Sequence, residues 1–306
     1  MERHEGRGVG VIGLGRQGGD IALRLAAHGH TVIGYDPIPA SADALVRAGG
    51  RHVDSLARLC EQLPTPRVIL ARLPSDAVDD LLAALLHLVD PGDVIVDASD
   101  SYYGDTQLRA EPLAENGVHL VDVGVSGGAW SRTEGYSLLV GGAREAIDVL
   151  VPLLDSLSAE GGRGWARVGG VGAGHYARMV QEGVQYGMAQ AIAEGVALLQ
   201  CKTDLQLDPS AVVEVWCNGS TLRSRLLELT AHGLAANPQL EALTPYLEDS
   251  AEARWAVAEA IALECPAPVM TAALQNRFHS RLGNSAADRV LALQRRMLGG
   301  LGAREP

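Results

Sequence analysis

Lysine is almost missing from this chain: Lys202 is the only one, and arginine supplies the rest of the 25 basic side chains. Arginine stays protonated at any ordinary pH, so a neutral amine able to take up a proton is excluded everywhere but at that position. Basic charge is also outnumbered. Set against 37 acidic residues it leaves a formal net charge of -12, which argues against non-specific binding to nucleic acid or to an anionic membrane. An anionic substrate would need a few deliberately placed arginines. The four cysteines, Cys60, Cys201, Cys217 and Cys265, lie far apart, without the paired spacing of a zinc site or a redox dithiol. No metal site and no disulfide framework is expected of them. No apolar run approaches membrane-spanning length, and Met1-Glu2-Arg3-His4-Glu5 lacks an apolar signal core, so the cytoplasm is the expected compartment. Low-complexity tracts and internal repeats are lacking too.

What is present is a globular composition, 47% apolar and 20% charged over 306 residues, enough for two domains. The first half alternates two patterns. Short β-branched runs at Val9–Ile12, Thr31–Tyr35, Arg67–Leu70, Val94–Asp97 and Val118–Val123 are separated by Ala/Leu-rich segments of helical spacing, such as Asp20–His28 and Ala77–Leu88. This reads as βαβ units on a mostly parallel sheet. A further strand at Tyr136–Val140, a helix at Ala143–Leu157 and a short strand at Ala166–Val168 close that half. From His175 onward only helical patterns follow, the first a long one at His175–Gln200. The expected division is residues 1–172 and residues 173–306, the latter all-helical with a C-terminal tail.

Gly13-Leu14-Gly15-Arg16-Gln17-Gly18 directly follows the first strand and opens a helix. Gly13 permits the tight turn, Gly15 lets the backbone approach a pyrophosphate, and Gly18 allows close helix–strand packing, with the helix N-terminus facing the phosphates. The second strand ends at Asp36, where a carboxylate can bond the adenosine ribose hydroxyls and repel a 2′-phosphate, favouring NAD over NADP. Because Pro37 follows, Asp36 also fits the simpler role of initiating a turn. Leu73, just past the strand Arg67–Leu70, is grouped with this cofactor site. Strand, turn, helix, second strand and acidic residue fall in the order of a Rossmann domain, which makes the fold class α/β Rossmann followed by all-α.

On the long helix, Arg178, Gln181, Glu182, Gln185 and Tyr186 share one face by their spacing. Such a stripe is either the solvated side of an amphipathic helix or the wall of a site. Gly183 and Gly187, one turn apart, favour the second reading, since helical glycine costs about 1 kcal/mol and signals close approach by another group. After the strand Val118–Val123, the segment Gly124-Val125-Ser126-Gly127-Gly128 reads as a turn. Its backbone N–H groups and the Ser126 hydroxyl are able to hold an oxygen of a bound acid.

Gly13–Gly18, Val125-Ser126-Gly127-Gly128, Gly172-Ala173-Gly174-His175, Tyr186-Gly187, Glu248-Asp249-Ser250 and Arg254-Trp255 together resemble 6-phosphogluconate dehydrogenases of the short type, over essentially the whole chain. The resemblance implies a dinucleotide domain, a helical domain, a homodimer with exchanged C-terminal tails, and oxidative decarboxylation of a phosphorylated sugar acid. It also implies phosphate contacts at Tyr186, Arg277 and, in the tail, Arg295. Departures fall on the catalytic positions. The family's base lysine is Arg178, its His-Asn pair is Gln181-Glu182, and its acid glutamate is Gln185. Its Asp-Gly-Gly-Asn-Ser stretch reads Asp97-Ala98-Ser99-Asp100-Ser101, and the tail histidine is Leu301.

The expectation is an NAD-dependent oxidoreductase with a rebuilt site for a different polar, hydroxylated substrate. Glu182 or Asp100 would be the base, Arg178 would orient an anionic group, and Ser126, Gln181, Gln185 and Tyr186 would hold hydroxyls. A dehydratase or epimerase that oxidises its substrate transiently, and a non-catalytic NAD-binding protein, are the alternatives.

Overall fold

The computed structural model describes residues 6–159, 162–240, 243–282, 289, 290 and 294. Eight strands form one sheet: β1 (Gly8–Ile12), β2 (Thr31–Tyr35), β3 (Arg51–Val53), β4 (Val68–Ala71), β5 (Val94–Asp97), β6 (His119–Ser126), β7 (Ser137–Gly141) and β8 (Trp165–Gly169). Their order is β3-β2-β1-β4-β5-β6-β7-β8. Pairing is parallel from β3 through β6, β7 runs antiparallel to β6, and β8 is parallel to β7. The helices of this half are α1 (Arg16–Ala27), α2 (Asp43–Arg47), α3 (Leu56–Gln62), α4 (Val78–Leu85), α5 (Tyr103–Glu115), α6 (Ser131–Glu134) and α7 (Arg144–Leu157).

The period-2 geometry of a strand sends neighbouring residues to opposite faces, and here both faces are covered. Val9, Val11, Val32, Leu70 and Val96 pack with Ile21 and Leu25 of α1 and Leu150 and Leu154 of α7. Ile33, Ile69 and Ile95 pack on the other side with Leu59 of α3, Leu82 of α4 and Leu113 of α5. That double burial is why β4 and β5 are buried at every position.

The sequence pattern misses some elements for identifiable reasons. β3 is a three-residue strand with one buried side chain, too short to show alternation. α5 carries Pro112 and little apolar periodicity. α1 begins at Arg16, ahead of the expected Asp20, because Gly18 and Gly19 mask the helical pattern of its first turns. β6 continues to Ser126, which pairs with Ser137, so Ser126 is a ladder residue and not part of the expected turn.

The long helix α8 (Ala173–Cys201) follows, then α9 (Pro209–Cys217), α10 (Arg225–Ala236), α11 (Ala251–Ala262) and α12 (Pro268–Ser280). The chain forms two compact units, Met1–Gln181 and Glu182–Pro306, and the division falls within α8. Among the described residues the second unit contains no strand. It buries Val196, Val213, Leu227 and Leu234 in one cluster and Tyr186, Ala253 and Leu274 in another. No described helix is long and apolar enough to cross a membrane.

Candidate active site

Each glycine of the fingerprint meets its physical requirement. Gly13 has φ +86, and a Cβ there would lie 2.3 Å from Arg72 O. A Cβ on Gly18 would lie 1.9 Å from Gly13 O, so only glycine lets α1 approach β1 this closely. Gly15 is different, since nothing lies within 4 Å of its Cβ position. That open backbone, with the exposed Arg16 and Gln17 in the first turn of α1, leaves room for a pyrophosphate at the helix N-terminus. Leu14 is buried beneath the turn, and the Leu73 side chain lies against Gly13. Asp36 Oδ2 accepts from Leu14 N–H at 2.7 Å and Oδ1 from Ile38 N–H at 2.8 Å. The carboxylate is thus a turn initiator and a brace for the glycine turn at once, and each oxygen keeps a lone pair for a ribose hydroxyl.

At the carboxyl ends of β4 and β5, Asp100 has a partner that sequence reading did not anticipate. Its Oδ1 and Oδ2 accept from Arg72 Nη1 at 3.0 Å and Nη2 at 2.8 Å. Arg72 also donates to Ala98 O at 2.5 Å and to Gln17 Oε1. The loop beyond β5 is fixed by the buried Asp97, which accepts from Ser99 N–H and the Ser101 hydroxyl, both at 2.9 Å. Arg109 of α5 reaches the same loop at Ser101 Oγ and forms a bidentate pair with Asp79, holding that carboxyl below its usual range.

The end of β6 meets the start of α8 through glycines. A Cβ on Gly124 would lie 2.4 Å from Arg178 Cβ, and one on Gly174 would lie 2.4 Å from Leu139 O. Asp122, fully buried in β6, accepts from Gly172 N–H at 2.7 Å and His175 N–H at 2.9 Å, satisfying donors of the α8 N-terminus. This contact brings Arg178 alongside the end of β6, where its Nε donates to Val125 O at 3.1 Å. Ser126 is half-buried beside it. Gly128 corrects the sequence expectation: its N–H donates to Ser131 Oγ at 2.8 Å instead of facing a ligand. Gly127 is exposed, and a Cβ there would collide with Ser131. A cavity of about 420 Å³ joins Arg16 and Gln17 to Val125, Gly127, Gly128 and Tyr136. Burial, then the Asp20 charge, pushes the Tyr136 phenol up to about 12.

The polar stripe of α8 is divided. Gln181 is half-buried, and its Oε1 is buried without a hydrogen-bond partner among the described residues. Glu182 is 8% exposed, whereas Gln185 is exposed. In the second unit the Tyr186 hydroxyl accepts from Ser250 N–H at 2.8 Å, and the Arg277 guanidinium carbon lies 3.7 Å from the centre of its ring. Arg277 is anchored on Glu248 O at 2.8 Å. Tyr186 and Arg277, far apart in sequence, therefore adjoin. Gly183 and Gly187 face Met270 and Val269, which would lie 2.3 Å and 3.0 Å from added Cβ atoms, so the glycines serve packing against α12. Arg295 and Leu301 lie outside the described residues.

Sequence reading missed Arg72, Asp122 and Tyr136. Only Arg72 left a local signal, a lone charge ending the buried run Val68–Ala71 at the ligand-binding edge of a parallel sheet.

Comparisons with known proteins agree with this layout. Residues 8–170 match the NAD binding domain of 6-phosphogluconate dehydrogenase and residues 174–297 its C-terminal domain. The chain is 35% identical over 284 residues to an NAD(+)-dependent, decarboxylating 6-phosphogluconate dehydrogenase of Haloferax volcanii, covering 92% of this chain and 93% of that one. It is 32% identical over 292 residues to Bacillus subtilis YqeC, whose name places it with 6-phosphogluconate dehydrogenases, covering 95% of this chain and 97% of that one. Plasmodium falciparum 6-phosphogluconate dehydrogenase superposes with a TM-score of 0.84 at 25% identity, over 98% of this chain and 66% of that longer one. The chain belongs to the 6-phosphogluconate dehydrogenase family of NAD(P)-dependent oxidoreductases.

Proposed function

We propose that the protein is an NAD-dependent enzyme with an active site rebuilt around Arg178 and Glu182, acting on a polar, hydroxylated and anionic substrate other than 6-phosphogluconate. The observation that carries this reading is the guanidinium of Arg178, held on Val125 O at the position where the family resemblance implies the base lysine. A guanidinium orients a carboxylate or phosphate but takes no proton from a hydroxyl. Glu182, buried one turn later on the same helix, is the proton acceptor of this reading. In the first unit Ser126 and Gln181 are suited to hold hydroxyls; in the second, Gln185 is suited to a hydroxyl and Tyr186 with Arg277 to an anionic group. The orphaned Gln181 Oε1 supports a bound donor there. Bound NAD supplies the hydride acceptor, and Asp36 excludes a 2′-phosphate.

The test is NADH formation with 6-phosphogluconate, then with a panel of sugar acids, sugar phosphates and nucleosides. Turnover of 6-phosphogluconate near the enzyme norm of about 10 s⁻¹ would overturn the reading. With the panel substrate that does react, Glu182→Gln lowers kcat by roughly 100-fold while NAD affinity holds.

A homodimer is part of this proposal. Val180, Val184 and Met188, at successive turns of α8, are 37%, 48% and 42% exposed, an apolar row suited to a second copy. Sedimentation gives a dimer for the full chain and a monomer for Val184→Asp; a monomeric parent sinks the idea.

A further inference from the structure

Arg72 is the first residue beyond β4, at the carboxyl edge of the sheet, where the strand order reverses between β1 and β4. Ligands of doubly wound sheets enter at that crevice. Its backbone is pinned to the glycine turn, with Arg72 N–H donating to Ile12 O at 2.9 Å and Arg72 O packed against Gly13. Only its side chain is therefore able to change partners. That side chain is 9% exposed and is shared among Gln17, in the first turn of α1, Asp100 and the carbonyl of Ala98, to which Nη1 donates at 2.5 Å.

We propose that Arg72 is a transferable counter-ion for the cofactor pyrophosphate: Asp100 holds it in the ligand-free protein, and the pyrophosphate on the glycine turn takes it over. The charges and the exposures fit. A chain of net charge -12 needs a placed cation to receive two further negative charges, and Arg72 is already bonded to the turn that receives them. A guanidinium presents the same planar fork to a carboxylate and to a phosphate. Asp100, with a side chain 45% exposed, returns to water when released, so giving up the pair costs little. The proposal rests on the dinucleotide-binding reading of the first unit and is independent of the choice between NAD and NADP.

Calorimetric titration of the full-length protein with NAD, ADP-ribose and AMP tests it in the parent, Arg72→Met and Asp100→Asn. Arg72→Met weakens NAD and ADP-ribose by about tenfold, the scale of one charge-assisted contact, and flattens the loss of affinity with added salt. Asp100→Asn acts in the opposite sense and tightens both several-fold, because a competitor for Arg72 has gone. AMP, which lacks a pyrophosphate, responds to neither. The isosteric Asp100→Asn protein, with circular dichroism matching the parent, keeps the test decisive should Arg72→Met misfold. Three results would each overturn the proposal: Asp100→Asn weakening NAD, as a mere loop brace predicts; unchanged salt dependence in Arg72→Met; or an effect on NAD that ADP-ribose does not share. A preference for NADP over NAD, titrated alongside, would remove the Asp36 assignment and leave the Arg72 test standing.

Discussion

Two inaccessible aspartates organise the two units by different chemistry. Asp122 is wholly buried and accepts hydrogen bonds from the backbone of Gly172 and His175. Asp249, with a side chain only 3% exposed, meets two guanidinium groups, those of Arg254 and Arg281, which both lie over the Phe278 ring. The Arg254 hydrogen bond first, and then that of Arg281, lowers the Asp249 carboxyl to about 2, against the opposing effect of burial. Backbone amides cannot move away without unwinding the first turn of α8, so Asp122 fixes geometry. The exposed Arg254 and half-buried Arg281 re-solvate more cheaply, so Asp249 contributes a pH-dependent clamp.

The largest expected effect tests the first half of that contrast. Asp122→Ala leaves buried donors unpaired at the start of α8 and is expected to cost roughly 3 kcal/mol or more in urea unfolding. Asp249→Asn is expected to cost less, roughly 2 kcal/mol. Equal losses would erase the distinction between a geometric anchor and an ionic clamp. The pH dependence sharpens it. Because the folded carboxyl of Asp249 sits below its ordinary value of 3.8, its contribution is fully present above about pH 4 and is lost as the pH falls through about 2. Circular dichroism during acid titration should therefore show a shallower decline between those limits in Asp249→Asn than in the parent, and superimposable curves would remove the clamp. The smallest effect is at Ser250, whose hydroxyl caps α11 by accepting from Ala253 N–H at 3.3 Å. Ser250→Ala is expected to lower stability by about 1 kcal/mol, keeping the backbone Ser250 N–H bond to Tyr186 while removing the Ser250 Oγ acceptor that the Tyr186 hydroxyl meets at 3.4 Å.

The glycine fingerprint was legible because each of its requirements is local: a positive φ at Gly13, open space at Gly15, close packing at Gly18. The α8 stripe was legible only halfway. Spacing put Arg178, Gln181, Glu182, Gln185 and Tyr186 on one side of the helix, but periodicity carries no sign. The structure turns Glu182 and Tyr186 inward while Val180 and Val184 meet solvent, the reverse of an ordinary surface helix. Gly183 and Gly187 did mark a close approach, though by α12 side chains.

By itself the sequence determined the alternation of most strands and helices in the first half, the helical second half, the dinucleotide turn and the family. These follow from backbone dihedral preferences and from periods of 2 and 3.6 residues, which neighbouring residues write directly into the chain. Only the tertiary structure decided that Asp100 belongs to Arg72, 28 residues away, that Asp122 reaches 53 residues along the chain to His175, and that Gly128 donates to Ser131. A charged or polar side chain carries no record of its partner, because hydrogen bonds and ion pairs are selected by whichever groups the sheet topology brings within about 3 Å.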